Sequence, residues 1–570
     1  MRKSARMLVT LSLLTLLALI VMGRLAHPGD AAGTTTGGLR DFLGATGGNS
    51  VPLSQVGVNQ LAQEAGHARV AINFTWLLYT ASLVLFMQAG FALLTTGLTR
   101  AKNAGHMMML NFSAFVIAFI AYYAIGFALH FGGVAPVANL GGAAPLHGLH
   151  PSGLWGLIGS RGFFLQSGGT YDVGTIALFM FEVVFMETAG YIIIGAIAER
   201  ISFAGLIAAE LALGGLIYPV FGNWVWGGGW LAHLGQTLHL GHGAVDFAGS
   251  GVVHATGGIA ALALAILLGP RLGKFNRDGT PNAMPGHDLS YVVVGTFILL
   301  FGWMGFNPGS TLGATDLRIA VVAVNTVLAA CFGAVAAMAW TNWKWGKPDI
   351  SMACNGMLAG CVAITAPCAF VAPWAAVVIG LVAGVIVCYG VWFFDHVAHI
   401  DDPCGAISVH GLCGIWGVIA VGLFADGTYG AGWNGVAGTV RGLLYGDTGQ
   451  LGAQIVSIVV NFIWVFGVTY GLFSVVRKFM AFRVSPDVEV EGLDRPEFGS
   501  VCYPEFVLAA TAGQPARAAS DGSMEHSAAP VVPSAANNAT PTLFDIREEL
   551  VAVTTRRVLD LVKSSGPDSR

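Results

Sequence analysis

The sequence predicts an all-α polytopic membrane protein that crosses the bilayer eleven times. Of its 570 residues, 55% are hydrophobic and only 10% are charged, whereas soluble globular proteins carry about 25% charged residues. From residue 74 onward, long apolar runs alternate with short polar breaks, and each run approaches the roughly 20 residues that a helix needs to cross hydrocarbon. Two of the runs begin with the same pattern, an aspartate followed eight residues later by a histidine, which indicates an internal repeat.

Eleven apolar runs form the predicted membrane domain, residues 74–480. They lie near residues 74–98, 107–131, 174–198, 202–221, 247–269, 289–308, 319–341, 351–371, 374–394, 405–425 and 452–476. Glycine and proline interrupt the pattern around Pro373, so the boundary between the eighth and ninth runs stays open.

Both ends of the chain differ from this domain. Residues 1–30 begin with basic side chains followed by an apolar run, the pattern of a signal peptide, with an uncleaved helix as the alternative. Residues 31–73 are polar and are expected to be extracytoplasmic. Residues 481–570 are the predicted cytoplasmic tail, with a linker rich in alanine, proline, serine and asparagine at 511–541 and a short helical pattern from Thr542.

Basic side chains are distributed unequally between the predicted loops. If the first span begins outside, the outer loops hold only Arg161, Arg318 and Arg441. The inner loops and the start of the tail hold Arg100, Lys102, Arg200, Arg271, Lys274, Arg277, Lys344, Lys347, Arg477, Lys478 and Arg483. The positive-inside rule therefore predicts a multi-pass protein of the cell (inner) membrane, with its N-terminus outside and its C-terminus cytoplasmic.

The repeated aspartate–histidine pattern predicts a 5+5 inverted pseudo-two-fold repeat. Asp246 and His254 belong to the fifth span, and Asp402 and His410 to the tenth. Because five spans is an odd number, the two halves cross the membrane in opposite directions, as in many transporters. Each aspartate is placed to cap a helix start. Eight residues of helix then carry each histidine about 12 Å inward, so the two imidazoles approach the middle of the bilayer from opposite sides.

Paired imidazoles at that depth favour a shared polar site. Ionisable groups inside a membrane are costly and usually line a pathway. A neutral imidazole both donates and accepts a hydrogen bond, so it can pass a proton or hold a small polar solute. A hydrogen-bonded packing role for each histidine is the alternative.

Aromatic side chains accompany the histidines in three of the spans. Phe181 and Phe185 lie one turn apart on one helix face. The others belong to "GWMGFNPGS" and "NWVWGGGW" and comprise Trp303 and Phe306, followed by Ser310, and Trp224, Trp226 and Trp230. Individually such rings are usually packing or interface residues. Together with two histidines they suggest a pore with aromatic rings at its mouth, since ring faces attract small cations.

Five stretches of the chain resemble the ammonium transporters of the Amt/Rh family, and specifically its Amt-type members. They are "GAIAERISF", "DFAGSGVVH", "GWMGFNPGS", "VNT" at 324–326 and "DDPCGAISVHGLCGIWG". The resemblance covers about residues 74–480 and implies eleven transmembrane helices in a 5+5 arrangement. It also implies a homotrimer in a lipid bilayer with one pore per subunit, whose substrate is ammonium or ammonia.

The same resemblance implies roles for eight side chains. These are a pore and proton-relay pair (His254 and His410), a stacked gate (Phe185 and Phe306, with Phe181 a turn above) and an outer ammonium-recruitment site (Trp226, Ser310 and Asp246). The physical chemistry agrees with these roles. Ammonium donates hydrogen bonds and can cross a dry constriction as neutral ammonia, whereas potassium keeps its charge and pays the full cost of dehydration.

The chain departs from the usual family pattern in three places. Glu182 and Glu187 stand where relatives more often have glutamine and a small residue; Glu187 could handle protons, or face a neighbour in the trimer. Gly405 replaces a common aspartate. The segment between Trp226 and Asp246 adds three histidines, His233, His239 and His242, for which a solvated outer loop is a better expectation than a metal site.

Other functional classes receive little support from the sequence. No nucleophile–base set, zinc spacing or phosphate loop is present, so we expect no enzyme activity, no cofactor and no metal. Cys354, Cys361 and Cys368 are interpreted as small buried hydrophobes. A net charge of −4 gives no reason to expect a nucleic-acid partner. Two alternatives remain, an ammonium sensor or transceptor that signals through its tail, and an Rh-like gas channel for ammonia or carbon dioxide. The tail's "EGLD" element resembles the family's tail, and this resemblance implies a PII-type regulatory protein as a partner at the cytoplasmic face.

Overall fold

The computed structural model describes residues 56–132, 156–166 and 171–505, and within these ranges the chain is helical with no β-strand. The helices of the membrane domain are α1 (Val56–Gly97), α2 (Ala101–Phe131), α3 (Val173–Ile197), α4 (Phe203–Val225), α5 (Ser250–Leu268), α6 (Leu289–Gly309), α7 (Ile319–Trp345), α8 (Ile350–Thr365), α9 (Pro373–Ala398), α10 (Ile407–Phe424) and α11 (Thr448–Val476). Two short helices follow, α12 (Pro486–Glu491) and α13 (Asp494–Phe498). The predicted signal peptide and the tail after residue 505 lie outside the described residues.

These helices confirm the predicted fold class with two differences in length. In the described part of the chain, ten helices are long and apolar enough to cross a membrane, and α8 is a shorter apolar helix of 16 residues. It ends at Thr365, before the predicted 371, because Pro367 disfavours helical geometry in the residue before it. The first helix begins at Val56, inside the segment predicted to be polar and extracytoplasmic. The division of the chain into domains stays a prediction.

The repeat places four helices around the centre of the molecule. In an apolar 18-residue stretch of each helix, 89% of the residues of α3 and 83% of those of α5 are buried, against 28% for α11. Helix α5 packs on α3, α10 contacts α5, and α1 runs along α6. Trp303 and Phe306 of α6 are buried. Helices α7, α8 and α9 pack on one another to the side. The residues nearest the centre therefore come from α3, α5, α6 and α10.

Helices α5 and α10 begin in the same unusual way, which supports the internal repeat. Each opens with a π-helical segment, Ser250–Ala255 in α5 and Ile407–Leu412 in α10, and each segment contains the histidine. The carboxylate of Asp246 accepts hydrogen bonds from the amides of Gly249, Gly251 and Val252 at 2.8–2.9 Å. Asp402 accepts from the amides of Ala406 and Ile407 at 3.0 and 2.7 Å. The expected capping role of both aspartates is confirmed.

Glycine allows these two helices to cross with their backbones in contact. Gly258 and Gly414 each follow a histidine by four residues. A Cβ atom on Gly258 would lie 2.2 Å from the amide nitrogen of Gly411, and one on Gly414 would lie 2.5 Å from the carbonyl oxygen of Ser250. Real Cβ atoms do not tolerate such distances, so only glycine permits this crossing beside the histidines. Gly405, the departure from the family pattern, has φ +73°, a conformation that aspartate also tolerates better than most residues.

Buried ion pairs connect the helix ends on one face. Glu199, in the "AERI" stretch, contacts Arg100 and lies 3.2 Å from Arg271. The guanidinium of Arg271 donates to both carboxylate oxygens of Asp401, at 2.8 and 2.9 Å. Burial alone would raise the pKa of the Asp401 carboxyl, but the hydrogen bonds and charge of Arg271 outweigh that effect and lower this pKa to about 2. The pairs thus join the α1–α2, α3–α4, α5–α6 and α9–α10 loops.

The start of the C-terminal tail binds this same face. Asp494 of α13 accepts hydrogen bonds from the amides of Gly105 and His106 at the start of α2, at 2.9 and 2.7 Å. Glu489 of α12 accepts from the amide of Leu272 at 2.6 Å, and Lys102 donates to the carbonyl oxygen of Glu489 at 2.6 Å. Three of the basic loops that were predicted to share one side of the membrane, α1–α2, α3–α4 and α5–α6, therefore share one face with the start of the tail.

Candidate functional site

The two histidines meet in the centre of the helical bundle. His254 and His410 are buried, and their Nδ1 atoms lie 3.2 Å apart. Their ring centroids are 5.3 Å apart with an angle of 28° between the planes. The prediction that these side chains approach each other from opposite halves of the molecule is therefore confirmed as geometry, although they are 156 residues apart in sequence.

This contact fixes the polarity of the pair. A hydrogen bond between two neutral imidazoles needs one Nδ1–H donor and one bare Nδ1 acceptor. The donor ring then has a bare Nε2, and the acceptor ring carries its proton on Nε2. Nε2 of His254 is buried without a hydrogen-bond partner in the described structure. The pair consequently offers one accepting and one donating nitrogen to a small polar solute.

Aromatic rings close the path on one side of the histidines. Phe185 of α3 and Phe306 of α6 stack at 4.0 Å between ring centroids, and Phe181 lies 4.6 Å from Phe185. Phe306 also stacks on His254 at 5.3 Å. The sequence pattern singled out these three phenylalanines, and the structure brings them together in one column that ends on the imidazole pair.

A cavity of about 200 Å³ lies on the far side of the phenylalanines. Its lining includes all of the residues predicted for an outer recruitment site, namely Trp226, Ser310 and Asp246, together with Phe181, Phe185, Glu182 and Trp433. The Ser310 hydroxyl donates to the carbonyl oxygen of Phe306 at 2.8 Å, so its oxygen lone pairs remain to accept hydrogen bonds. Trp226 Nε1 donates to the carbonyl oxygen of Asp246 at 2.7 Å, which fixes the orientation of the indole.

A smaller cavity of about 20 Å³ lies on the opposite side of the histidines. His410, Phe91 and Tyr191 are among the residues that line it. Phe91 and Tyr191 stack at 5.5 Å, and Phe91 lies 6.3 Å from His410. A space of this size holds about one water molecule. The histidine pair thus separates two cavities, and the phenylalanine stack blocks the larger one from the pair.

The arrangement can select a small hydrogen-bond donor and then remove its water. The outer cavity offers ring faces and a hydroxyl oxygen, which favour a small cation that donates hydrogen bonds. The phenylalanine stack offers no polar atom and therefore disfavours any solute that keeps its charge. The imidazoles offer hydrogen bonds again. This geometry therefore admits a solute that is a cation in the outer cavity and loses a proton before it enters the phenylalanine stack.

Comparison with known proteins identifies the family. The sequence profile of the Ammonium Transporter Family matches residues 75–503. The chain belongs to the Ammonium Transporter Family. Ammonium transporter Amt2 of Archaeoglobus fulgidus is 49% identical to it over 442 residues, which cover 77% of this chain and 90% of Amt2. Ammonium transporter 1 member 3 of Solanum lycopersicum is 37% identical, with 76% and 93% covered.

Solved structures of family members have a similar fold. A structure described as "Sensor Amt Protein" matches with a TM-score of 0.66 at 34% identity, covering 76% of this chain and 99% of that chain. Mep2 of Candida albicans matches with a TM-score of 0.62 at 27% identity, covering 73% and 87%. The predicted recognition as an Amt-type family member and the predicted helical fold are confirmed.

The departures from the family pattern have partial explanations. Glu187 is buried inside this chain and accepts a hydrogen bond from Gln88 of α1, so it does not face a neighbouring subunit. His242 is also buried, and its Nε2 lies 3.3 Å from the carbonyl oxygen of Gly438. The expectation of a solvated loop is wrong for this residue, because its loop packs against the segment between α10 and α11. In the described ranges no group of three or more histidine, cysteine or carboxylate side chains is arranged to hold a metal.

Some residues of the site had no assigned role in the sequence analysis. Trp303 stacks on His254 at 5.3 Å and donates through Nε1 to the Thr365 hydroxyl at 3.1 Å. Its position three residues before Phe306, on the same helix face, was a usable signal. Phe91 and Tyr191 gave no such signal, since nothing in their spacing relates them to either histidine.

Proposed function

We propose that the protein transports ammonium across a cell membrane through the path formed by the two cavities, the phenylalanine stack and the histidine pair. Its membership of the Ammonium Transporter Family supports the substrate and the multi-pass membrane location. In the first step ammonium enters the outer cavity, stacks on the Trp226 ring and donates a hydrogen bond to the Ser310 oxygen. Asp246 holds this region in shape by capping α5 and fixing the tryptophan through its carbonyl oxygen.

Deprotonation precedes passage through the gate. Ammonia is neutral, so it moves between Phe185 and Phe306 without the desolvation cost that excludes potassium. The Phe181 ring keeps water away from the upper side of this gate. His254 and His410 then receive ammonia by hydrogen bonds on the far side of the stack. The pair relays a proton when the bare Nε2 of the donor ring takes one up, the shared proton passes to the other Nδ1, and the acceptor ring releases its Nε2 proton; both imidazoles are then neutral again with reversed polarity.

One observation carries this proposal more than any other. The hydrogen-bonded imidazole pair is buried between two cavities, and one of its nitrogens has no protein partner. Buried polar atoms in proteins nearly always have a partner. Ammonia, which both donates and accepts, is a suitable partner for that nitrogen.

The histidine variants His254→Ala and His410→Ala test this proposal. Purified protein is reconstituted into planar supported membranes, and the currents evoked by pulses of ammonium and of potassium are recorded. We expect each variant to lose at least about tenfold in selectivity for ammonium over potassium, since the partner of neutral ammonia is removed. His396→Ala, an exposed histidine at the end of α9, is the matched control. Unchanged selectivity in both pore variants would refute the mechanism, and robust potassium conduction by the unaltered protein would refute the function.

The assembly and orientation belong to the same proposal. We expect a homotrimer with one path per subunit and with the tail and the basic loops in the cytoplasm. The asymmetry of basic residues supports this orientation. The docked α12–α13 segment provides a surface at the inner face on which a PII-type regulatory protein would act.

A second function, ammonium sensing through the tail, is favoured by one observation. The similar solved structure is described as "Sensor Amt Protein". A sensor needs ammonium binding but little flux, so the currents described above separate the two functions. Recruitment residues in the outer cavity favour an ion as the substrate over the gas of an Rh-like channel.

A further inference from the structure

Two carboxyl groups line the outer cavity, and they differ in their partners. The carboxylate oxygens of Asp246 accept hydrogen bonds from three backbone amides at 2.8–2.9 Å. Glu182 of α3 is only 6% exposed, and in the described structure no lysine, arginine or histidine forms an ion pair with it. Its Oε2 is buried without a hydrogen-bond partner. Glu182 is therefore the carboxyl group of this cavity for which the described structure supplies no cationic partner.

The groups around Glu182 do not supply the missing cation. Tyr122 of α2 and Tyr218 of α4 lie within electrostatic reach of it, and Asp246 lies within reach of Tyr218. Tyr122 contacts His130 Nδ1 at 2.9 Å. The hydroxyl of Tyr218 and Nε2 of His130 are buried without partners in the described structure. Phenols, a carboxylate and the imidazole of His130 are the titratable groups near Glu182. When Glu182 is ionised, the cation that balances its charge therefore comes from the solute, and without one burial favours the protonated carboxyl.

The rest of the cavity suits a cation that donates hydrogen bonds. The indole of Trp226 and the ring of Phe185 present faces that attract cations. The Ser310 hydroxyl donates its hydrogen bond to the carbonyl oxygen of Phe306, so its oxygen can only accept one from the solute. A carboxylate completes a set that offers acceptors and ring faces. Ammonium and methylammonium, which have N–H donors and no acceptor, match this set.

We propose that Glu182 binds the ammonium cation in the outer cavity and takes its proton, an inference that rests on the proposed transport function. One N–H bond of ammonium breaks and its electron pair stays on nitrogen, while an O–H bond forms on the Glu182 carboxylate. The products are ammonia and a neutral carboxylic acid. Ammonia then enters the stack of Phe185 and Phe306, whose rings line the same cavity. The proton must leave Glu182 before the next ammonium is bound.

This step explains where the charge of ammonium is lost. The phenylalanine stack lies directly below the cavity, and the imidazoles lie beyond the stack. A base beyond the stack would require the cation to enter an apolar constriction first, which is unfavourable. Glu182 adjoins Phe181 in sequence and lines the cavity before the constriction. Proton transfer to it thus precedes the most apolar part of the path.

The variant Glu182→Gln tests the proposal, with Glu187→Gln as the matched control. Both change a buried carboxyl of α3 to an amide, but Glu187 is bonded to Gln88 and is not among the residues that line the outer cavity. Initial uptake of labelled methylammonium into proteoliposomes is measured at several external pH values with the cation concentration held constant. We expect Glu182→Gln to raise the half-saturating concentration and to lower the maximal rate by about tenfold each, and Glu187→Gln to stay within about twofold of the unaltered protein.

The pH profile distinguishes a proton acceptor from a residue that only shapes the cavity. In the unaltered protein, uptake should fall as the external solution becomes acidic, because a protonated Glu182 neither balances the cation nor takes its proton. In Glu182→Gln this acid-side fall should disappear. A variant with unchanged affinity, rate and pH profile would overturn the proposal while leaving ammonium transport intact. Absence of uptake by the unaltered protein would instead overturn the proposed function.

A binding measurement keeps the test informative if a variant transports poorly for structural reasons. Ammonium should raise the thermal unfolding temperature of the unaltered protein, because a ligand that binds only the folded state stabilises it. Glu182→Gln should show at least about half of this shift lost, while its unfolding temperature without ammonium stays comparable. Glu182→Asp, which keeps the charge on a shorter side chain, should retain the acid-side fall in uptake. An equal ammonium shift in all three proteins would contradict the proposal.

Discussion

At the scale of single residues, the function depends on which polar atoms are already used by the protein. Asp246 and Ser310 both line the outer cavity. The Asp246 carboxylate already accepts hydrogen bonds from backbone amides, whereas the lone pairs of the Ser310 oxygen remain available to accept one from a solute. Residue type alone would have ranked the aspartate as the stronger cation ligand. The hydrogen bonds reverse that order.

The serine leads to a prediction for the variant Ser310→Ala. Hydrogen bonds to charged groups contribute about 1.5–3 kcal/mol, so loss of this acceptor should raise the half-saturating ammonium concentration about 10- to 100-fold. Ammonium-evoked currents over a range of concentrations measure this value. Ser290→Ala, at the exposed start of α6, should leave it unchanged. A shift of less than about twofold in Ser310→Ala would show that the hydroxyl does not bind ammonium.

At the scale of helices, the site depends on two helices with π-helical first turns that cross with glycine at the contact, so that no side chain lies between their backbones. The π-helical openings of α5 and α10 carry the histidines, and π-helical turns occur frequently at functional sites. Gly258 of α5 lies against the backbone of Gly411 in α10. This crossing sets the separation of the imidazoles, since His254 and His410 lie within one turn of it.

A prediction for Gly258→Ala follows from that crossing. The added methyl group would have to push α5 and α10 apart, and such overpacking costs about 1–3 kcal/mol. We expect a lower thermal unfolding temperature and at least about tenfold lower ammonium transport, because the imidazole contact is lost. Gly467→Ala is the control, since a Cβ atom there would meet nothing within 4 Å. Normal transport by Gly258→Ala would show that the close crossing is not required.

At the scale of the whole molecule, the loops that carry most of the basic residues and the start of the tail form one face. Arg271 pairs with Asp401 and Glu199, and α13 caps the start of α2 through Asp494. These contacts show that the α1–α2, α3–α4, α5–α6 and α9–α10 loops lie together. The charge of these loops predicts that this face is cytoplasmic.

Chemical labelling of cysteine tests that orientation. Cys502 is exposed beside this face, and Cys331, the other exposed cysteine among the described residues, lies within the apolar helix α7. A membrane-impermeant maleimide should therefore label intact cells weakly and inverted membrane vesicles strongly. The variant Cys502→Ser should abolish the labelling of the vesicles. Strong labelling of Cys502 in intact cells would place the tail outside and reverse the predicted topology.

The sequence by itself determined the membrane class, the helical fold, the aspartate caps and the two histidines that follow them. These features depend on hydropathy, on charge and on contacts within one turn of helix, which are local and legible along the chain. Only the tertiary structure decided that the imidazoles touch at 3.2 Å, that the Asp246 carboxylate is occupied and that Glu182 is not. Those facts depend on how helices far apart in sequence cross and on which side chains hydrogen-bond to the backbone amides. Hydrophobic periodicity carries no information about either.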